Sequence, residues 1–256
     1  MIPADGACER AASAIDILHL DDAIVAVAKP PGLLVHRTAL DRHETRFAMQ
    51  LVRDRLGRRV WPVHRLDKGT SGVLLFALSP EVARVLGEAF ETRAVEKRYV
   101  AVVRGWPDAH GVIDHPLSRR FDDAERRADD GVLQPALTEY RRIATLELPH
   151  AVDRYATARY ALAALVPHTG RRHQLRRHLK HIAHPIIGDA TFGKGRHNRF
   201  FAETVGTQRL WLHAGLLAFA HPATGERVRI AAPLGEEWRT VLDAFGVTEA
   251  DLDRHC

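Results

Sequence analysis

The chain has 256 residues, 46% of them hydrophobic and 27% charged, and carries 37 Lys+Arg against 32 Asp+Glu for a formal net charge of +5. That composition excludes a disordered or collagen-like chain, and the length suffices to bury a core in one large domain or two lobes without disulfide or metal staples. Cys8 and Cys256 stand at opposite ends, which excludes a disulfide framework or a paired-cysteine metal or redox site and fits a reducing cytosol.

Residues 1–12 read as a flexible tail with acids and no basic-plus-apolar export signal, followed by one folded unit over 13–256. Ile24–Lys29 alternates as a strand, and Pro30-Pro31-Gly32 stops it. Arg46–Leu56 reads as a short helix. Ser79 then serves as an N-cap with Pro80 at the first helical position, and Val82, Val85, Leu86, Ala89 and Phe90 share one face of a helix ending near Arg93. Arg98–Val103, Ala136–Leu146 and Arg159–Val166 read as strands, with a charged, solvated excursion over 119–131. After Thr169-Gly170, Leu175, Leu179 and Ile182 form the apolar stripe of a helix, with Arg172, Arg176 and Lys180 as a basic rail beside it. Arg171, Arg172 and His173 fall in the expected first turn, where the macrodipole disfavours cations; a bound anion explains them better. Leu210–Phe219 is a last apolar strand, closed by a turn over His221–Glu226. Strands outnumber helices without βαβ alternation, which predicts an α+β fold. No stretch of 18 apolar residues occurs, so a soluble, cytoplasmic protein with no membrane segment is expected.

Charge is unevenly placed. Over 168–199 there are eight Lys/Arg and six His against the single acid Asp189, and over 46–68 seven Lys/Arg against Asp54 and Asp67. Arginine outnumbers lysine 32 to 5, a bias that a GC-rich genome explains, but codon bias does not place the cations. Those two stretches are where a polyanionic partner would bind.

The densest segment is His64-Arg65-Leu66-Asp67-Lys68-Gly69-Thr70-Ser71-Gly72, a carboxylate among cations followed by a small polar turn and a buried apolar run. Asp67 alone reads equally as an ion-pair partner or turn cap. His64, Asp67 and Ser71 hold the residue types of a hydrolase triad, but no GxSxG elbow surrounds the serine. His173, His178, His181 and His184 hold metal-ligand types, yet project around a helix without converging, and no HExxH occurs.

This segment resembles the central motif of the RluA-type pseudouridine synthases. The resemblance continues in Lys29-Pro30-Pro31-Gly32, in Lys97-Arg98-Tyr99 with Gly105, in Thr169-Gly170-Arg171-Arg172-His173-Gln174-Leu175-Arg176 with His178, in Pro185–Asp189 and in Leu212-His213-Ala214, in order across roughly residues 15–233. Val35–Thr38, Gln174–Leu179 and His184–Asp189 are most similar to the tRNA pseudouridine-65 synthases. The resemblance implies the pseudouridine synthase fold, a mixed, mostly antiparallel central sheet flanked by helices and loops, shared by two lobes and without an N-terminal S4 domain. It implies a monomer that isomerises uridine in RNA, with tRNA the expected partner and large-subunit rRNA the alternative, and with no cofactor and no metal. Asp67 is then the catalytic residue. Arg171 would pair with its carboxylate, Arg65 would fill the gap left by a flipped base, and Tyr99 would stack on the uracil and offer its hydroxyl for proton transfer. Leu175 would pack against the base, and Arg176, His64 and the 46–59 arginines would complete substrate binding, the arginines by tracking phosphates. A non-catalytic RNA-binding protein of the same fold is the competing reading, and it has no use for a carboxylate facing phosphates.

Overall fold

In the computed structural model residues 15–37, 44–119 and 132–253 are described; the expected tail and most of the 119–131 excursion lie outside them. The first strands follow the alternation in the sequence: β1 (Asp16–Leu20) and β2 (Ile24–Lys29) form a hairpin, and β2 has the expected bounds. Helix α1 (Ala48–Leu56) starts two residues later than expected, because Phe47 is extended and forms a bridge with Leu34. Short β3 (Trp61–Pro62) leads to β4 (Ser71–Ala77), every residue of which is buried. Helix α2 (Pro80–Glu91) begins as read: Ser79 Oγ accepts the Val82 N–H at 3.2 Å, with Pro80 at the first position. It is followed by β5 (Glu96–Arg104), β6 (His110–Asp114) and the small pair β7 (Leu117–Ser118) and β8 (Leu133–Gln134).

Two long strands, β9 (Leu137–Leu148) and β10 (Ala158–Pro167), precede α3 (Gln174–His181). This helix begins later than expected: His173 is its N-cap in the left-handed region (φ 54°), so Arg171 and Arg172 lie ahead of it and not in its first turn. The chain closes with α4 (Gly195–Val205), β11 (Leu212–Ala220), β12 (Arg227–Ala231), α5 (Glu237–Phe245) and α6 (Glu249–Asp253). Neither α4 nor α5 was expected, although Trp238, Val241, Leu242 and Phe245 recur at helical spacing before Gly246.

Ten strands form one sheet in the order β1-β2-β4-β11-β5-β10-β9-β6, with β3 beside β4 and β12 beside β11. The β4–β11 pair is parallel and the other pairs are antiparallel, the mixed α+β sheet expected. Side-chain alternation distributes the core over both faces. Val25, Val27, Leu74 and Phe76 pack on α1, while Ile24, Ala26, Val73 and Leu75 pack on the α2 side. Further along, Ala161, Ala163 and Leu165 meet Leu175 and Leu179 of α3, and Tyr160 and Leu162 meet Phe201, Trp211 and Trp238.

Where β4 and β11 run side by side, Gly72 adopts φ +115°, and a Cβ there would lie 2.1 Å from the Ala214 carbonyl oxygen. Only glycine fits both demands. Gly72→Ala is expected to lower the unfolding free energy by roughly 3 kcal/mol, from left-handed strain and overpacking together, read as a reduced denaturant midpoint.

Candidate active site

The connection from β3 to β4 carries Asp67, and backbone bonds fix its shape. Thr70 N–H donates to the Asp67 carbonyl at 3.0 Å, and Gly32 N–H donates to the Lys68 carbonyl at 2.8 Å. The ammonium of Lys29, 1% exposed, spends its three protons on the carbonyls of Pro30 (2.9 Å), Leu33 (2.7 Å) and Lys68 (3.1 Å). Burial draws its pKa down to about 7 against the opposing pull of Asp67. The Pro30-Pro31-Gly32 loop is thereby tied to the Asp67 turn.

The carboxylate of Asp67 meets α3. Arg176 Nη1 donates to Asp67 Oδ2 at 2.9 Å, while its Nε and Nη2 make a two-pronged contact with Asp189 Oδ2 and Oδ1 at 2.7 and 2.9 Å. Asp189 also accepts the N–H groups of Thr191 and Phe192. Burial alone would raise its carboxyl, yet Arg176 and these N–H groups hold it below the usual range. The Arg176 guanidinium lies 5.2 Å from the centre of the Phe192 ring.

Arg171 does not form the expected pair with Asp67. Its Nε donates to the Pro135 carbonyl at 3.1 Å and its backbone N–H to Gln174 Oε1 at 2.9 Å. The reason is the late start of α3: the turn at His173 leaves Arg171 on the preceding loop, and Arg176 is the first arginine of the helix to reach Asp67. The basic rail of Arg172, Arg176 and Lys180 is likewise broken up, because Arg172 lies ahead of the helix and Arg176 is engaged by two carboxylates, leaving Lys180 exposed; the neighbouring Arg177 donates to Ser118. Buried Gln174 sets this loop, accepting from Thr169 Oγ1 and Arg171 N and donating to Leu137 O and Thr138 Oγ1.

Asp67, Arg65, Tyr99, Arg171, Leu175, Arg176 and His64 all line one cleft of about 500 Å³. Arg65 is exposed at its edge. Tyr99, on β5 opposite Ala214 and Leu165, is held protonated by burial and by the charge of Asp67. Leu175 is buried in the core beneath. His64 has a structural duty as well: its Nε2 accepts the Leu75 N–H at 2.9 Å and its ring stacks on Phe90 at 4.9 Å. Burial, with Lys97 adding to it, lowers its pKa to about 3. Arg93, Lys97 and Arg172 add to the cationic lining.

Two further residues of the site were not expected beside Asp67 and Arg176. His173 Nε2 stands 3.8 Å from Asp67 Oδ1, and burial lowers the ring's pKa to about 4. Asp189 orients Arg176; its signal was available, since it is the single acid of the 168–199 stretch.

The hydrolase arrangement does not form. Ser71 Oγ lies 2.9 Å from His213 Nδ1, both residues are buried, and the other nitrogen of His213 meets the Ala232 carbonyl, with no carboxylate behind it. The helical histidines diverge: His178 meets Thr138 and the His115 carbonyl, His184 meets the Arg104 carbonyl, and His181 stacks on His115. Among the described residues, no group of three or more His, Cys, Asp or Glu could hold a metal ion.

Residues 23–181 match the RNA pseudouridylate synthase family. The chain belongs to that family. Its reaction is an isomerisation, and Asp67, Tyr99 and Arg176 fall inside the matched range. The tRNA pseudouridine synthase C of Haemophilus ducreyi is 48% identical over 233 residues, covering 91% of this chain and 96% of that protein. The protein of the same name from Yersinia pestis is 50% identical over 234 residues, covering 91% of each. Human RNA Pseudouridylate Synthase Domain Containing 4 superposes with a TM-score of 0.67 at 28% identity, over 90% of this chain and 93% of that one. The likeness covers about nine-tenths of the chain and not the motif alone. Among the described residues no helix is long and apolar enough to cross a membrane.

His64 and His213, drawn down to about 3 and about 4 by burial, stay neutral in the folded synthase, whereas in the unfolded chain they titrate near the ordinary value of about 6.5. Above that value they contribute nothing, and below it the unfolded state takes up protons that the folded state refuses. The denaturant midpoint is therefore expected to fall as pH drops from about 6.5 toward about 5.5, a window above the carboxylate titrations, and His213→Asn should flatten that slope.

Proposed function

We propose that the chain is a tRNA pseudouridine synthase that uses Asp67 to isomerise uridine 65 in the T stem. The observation that carries the reading is the placement of Asp67, a carboxylate held by Arg176 in a cleft whose lining also brings Arg65, Arg93, Lys97, Arg171 and Arg172 together. A protein that only bound RNA would gain nothing from that charge, which repels phosphate. The choice of tRNA is supported by relatives named tRNA pseudouridine synthase C that are 48–50% identical over nine-tenths of the chain.

In the reaction the bond from N1 to the ribose breaks, the base turns, and C5 bonds to C1′. The C5 proton is lost and N1 gains one, so the net change needs neither redox nor hydrolysis. Attack on the sugar, attack on the base and removal of a ribose proton all require the ionised carboxylate. Arg176 fixes Oδ2, while Oδ1 faces His173 beyond hydrogen-bond distance. Tyr99, held protonated, offers a flat face and a proton donor to a flipped uracil, and Leu175 supplies apolar packing beneath. Arg65, exposed at the cleft edge, is placed to fill the vacated stack. Arg171, Arg172 and Lys97 meet the flanking phosphates.

Purified protein incubated with unmodified tRNA, and separately with 23S rRNA, is read by carbodiimide-blocked primer extension. A single stop at position 65 of tRNA is expected; stops confined to 23S rRNA would reassign the substrate. Asp67→Asn is expected to bind tRNA within about threefold of the parent and to form no pseudouridine, and undiminished product from it would overturn the mechanism. Arg176→Lys, which cannot serve both Asp67 and Asp189 with a planar fork, should lower kcat by roughly a hundredfold.

A further inference from the structure

A buried polar chain runs beneath the Asp67 turn, and none of its members lines the cleft. Ser71 opens β4 four residues after Asp67. Its Oγ accepts from Arg209 Nη2 at 2.7 Å and lies 2.9 Å from His213 Nδ1, while His213 Nε2 is 3.2 Å from the Ala232 carbonyl. A carbonyl only accepts, so Nε2 carries the ring proton, Nδ1 is the acceptor, and the Ser71 hydroxyl donates to it. The run has one direction, from Arg209 through Ser71 and His213 to Ala232. Nη1 of Arg209 is taken by Glu237 in the first turn of α5, and its guanidinium lies over Trp211 and Trp238 at 5.4 and 5.7 Å.

The backbone of the same segment separates the two halves of the site. A Cβ on Gly69, in the Asp67 turn, would lie 2.9 Å from Leu210 Cβ. A Cβ on Gly188, next to Asp189, would lie 1.6 Å from the Arg209 carbonyl oxygen, and Trp211 N–H donates to the Ile187 carbonyl at 3.0 Å. Residues 209–211 therefore touch the Asp67 turn on one side and the Asp189 turn on the other. Desolvating a guanidinium is costly, and an apolar side chain of similar volume would pack there at less expense. What the cation adds is a fixed direction.

We propose that Arg209, braced by Glu237, is a positioning residue for the isomerisation: through Ser71 it sets where β4 begins, and thereby the placement of the Asp67 carboxylate beneath Arg176. The proposal rests on Asp67 being the reacting carboxylate. Ser71→Ala, Arg209→Met and Glu237→Gln are compared with the parent for kcat, KM, tRNA affinity and circular dichroism, with Asp67→Asn in parallel. Ser71→Ala removes one oxygen and Glu237→Gln alters a partly exposed side chain, so both remain informative if Arg209→Met does not fold. Expected are KM and tRNA affinity within about twofold of the parent and kcat reduced about tenfold or more, as small misplacements of reacting groups do. The Ser71→Ala, Glu237→Gln double variant should lose no more than Ser71→Ala alone, because the chain is already cut. Native kcat in folded variants, additive losses, or equal losses of kcat and tRNA affinity would overturn the proposal. If Asp67→Asn itself forms product, the reading of Asp67 fails instead; if it is inactive while Ser71→Ala keeps native kcat, the positioning role alone fails.

Discussion

One guanidinium held between two carboxylates is the interaction on which the site depends. Arg176 spends Nε and Nη2 on Asp189 and Nη1 on Asp67, so a single planar group fixes a distance and an angle at once. The arrangement is asymmetric. Asp189, whose side chain has no exposure, is saturated by Arg176 and two backbone N–H groups and serves as the anchor. Asp67, a fifth exposed, keeps one oxygen without such a partner, as the reacting role proposed for it requires. The carboxylate proposed to react is thus distinct from the one that neutralises the cation orienting it.

Close packing makes that geometry stiff. The Asp67 turn is tied from one side by the Lys29 ammonium and from the other by Leu210, and glycines stand where a side chain would not fit: at Gly69 and Gly72 around the turn, and at Gly188 beside Asp189. At Gly72 and Gly188 the neighbour is backbone, and at Gly69 it is the Leu210 side chain. Lysine at position 29 looked like part of a loop motif; with its three donors on three carbonyls it works as a buried knot, which explains why so costly a group is kept out of water.

Much of this was legible in the residues, and the failures have physical causes. β2, α2 and the β9–β10 hairpin were readable because local signals agreed: period-two alternation, a Ser-Pro helix start, β-branched and aromatic runs. The cleft residues were readable because the motif is dense. The partner of Asp67 was misassigned because a left-handed residue at His173 is invisible to periodicity, and that one turn decides which arginine of Arg171, Arg172 and Arg176 swings inward. Helices α4 and α5 carry no local start signal, since α4 lacks a side-chain cap and α5 starts from Glu236 without one; tertiary packing around Trp211 and Trp238 stabilises them.

The parallel pairing of β4 with β11 also bears on the order of assembly. Ser71 meets His213 across 142 residues of chain, and Asp67 meets Arg176 across 109. Contacts that distant form late, because the loop they close must be ordered first. On a ribosome making the chain from its N-terminus, the Asp67 turn is synthesised early, yet it waits for β11 before its bracing exists. The Asp67 carboxylate is consequently set in place only when nearly the whole sheet is present, so a truncated or half-folded chain carries the motif without the geometry of the cleft.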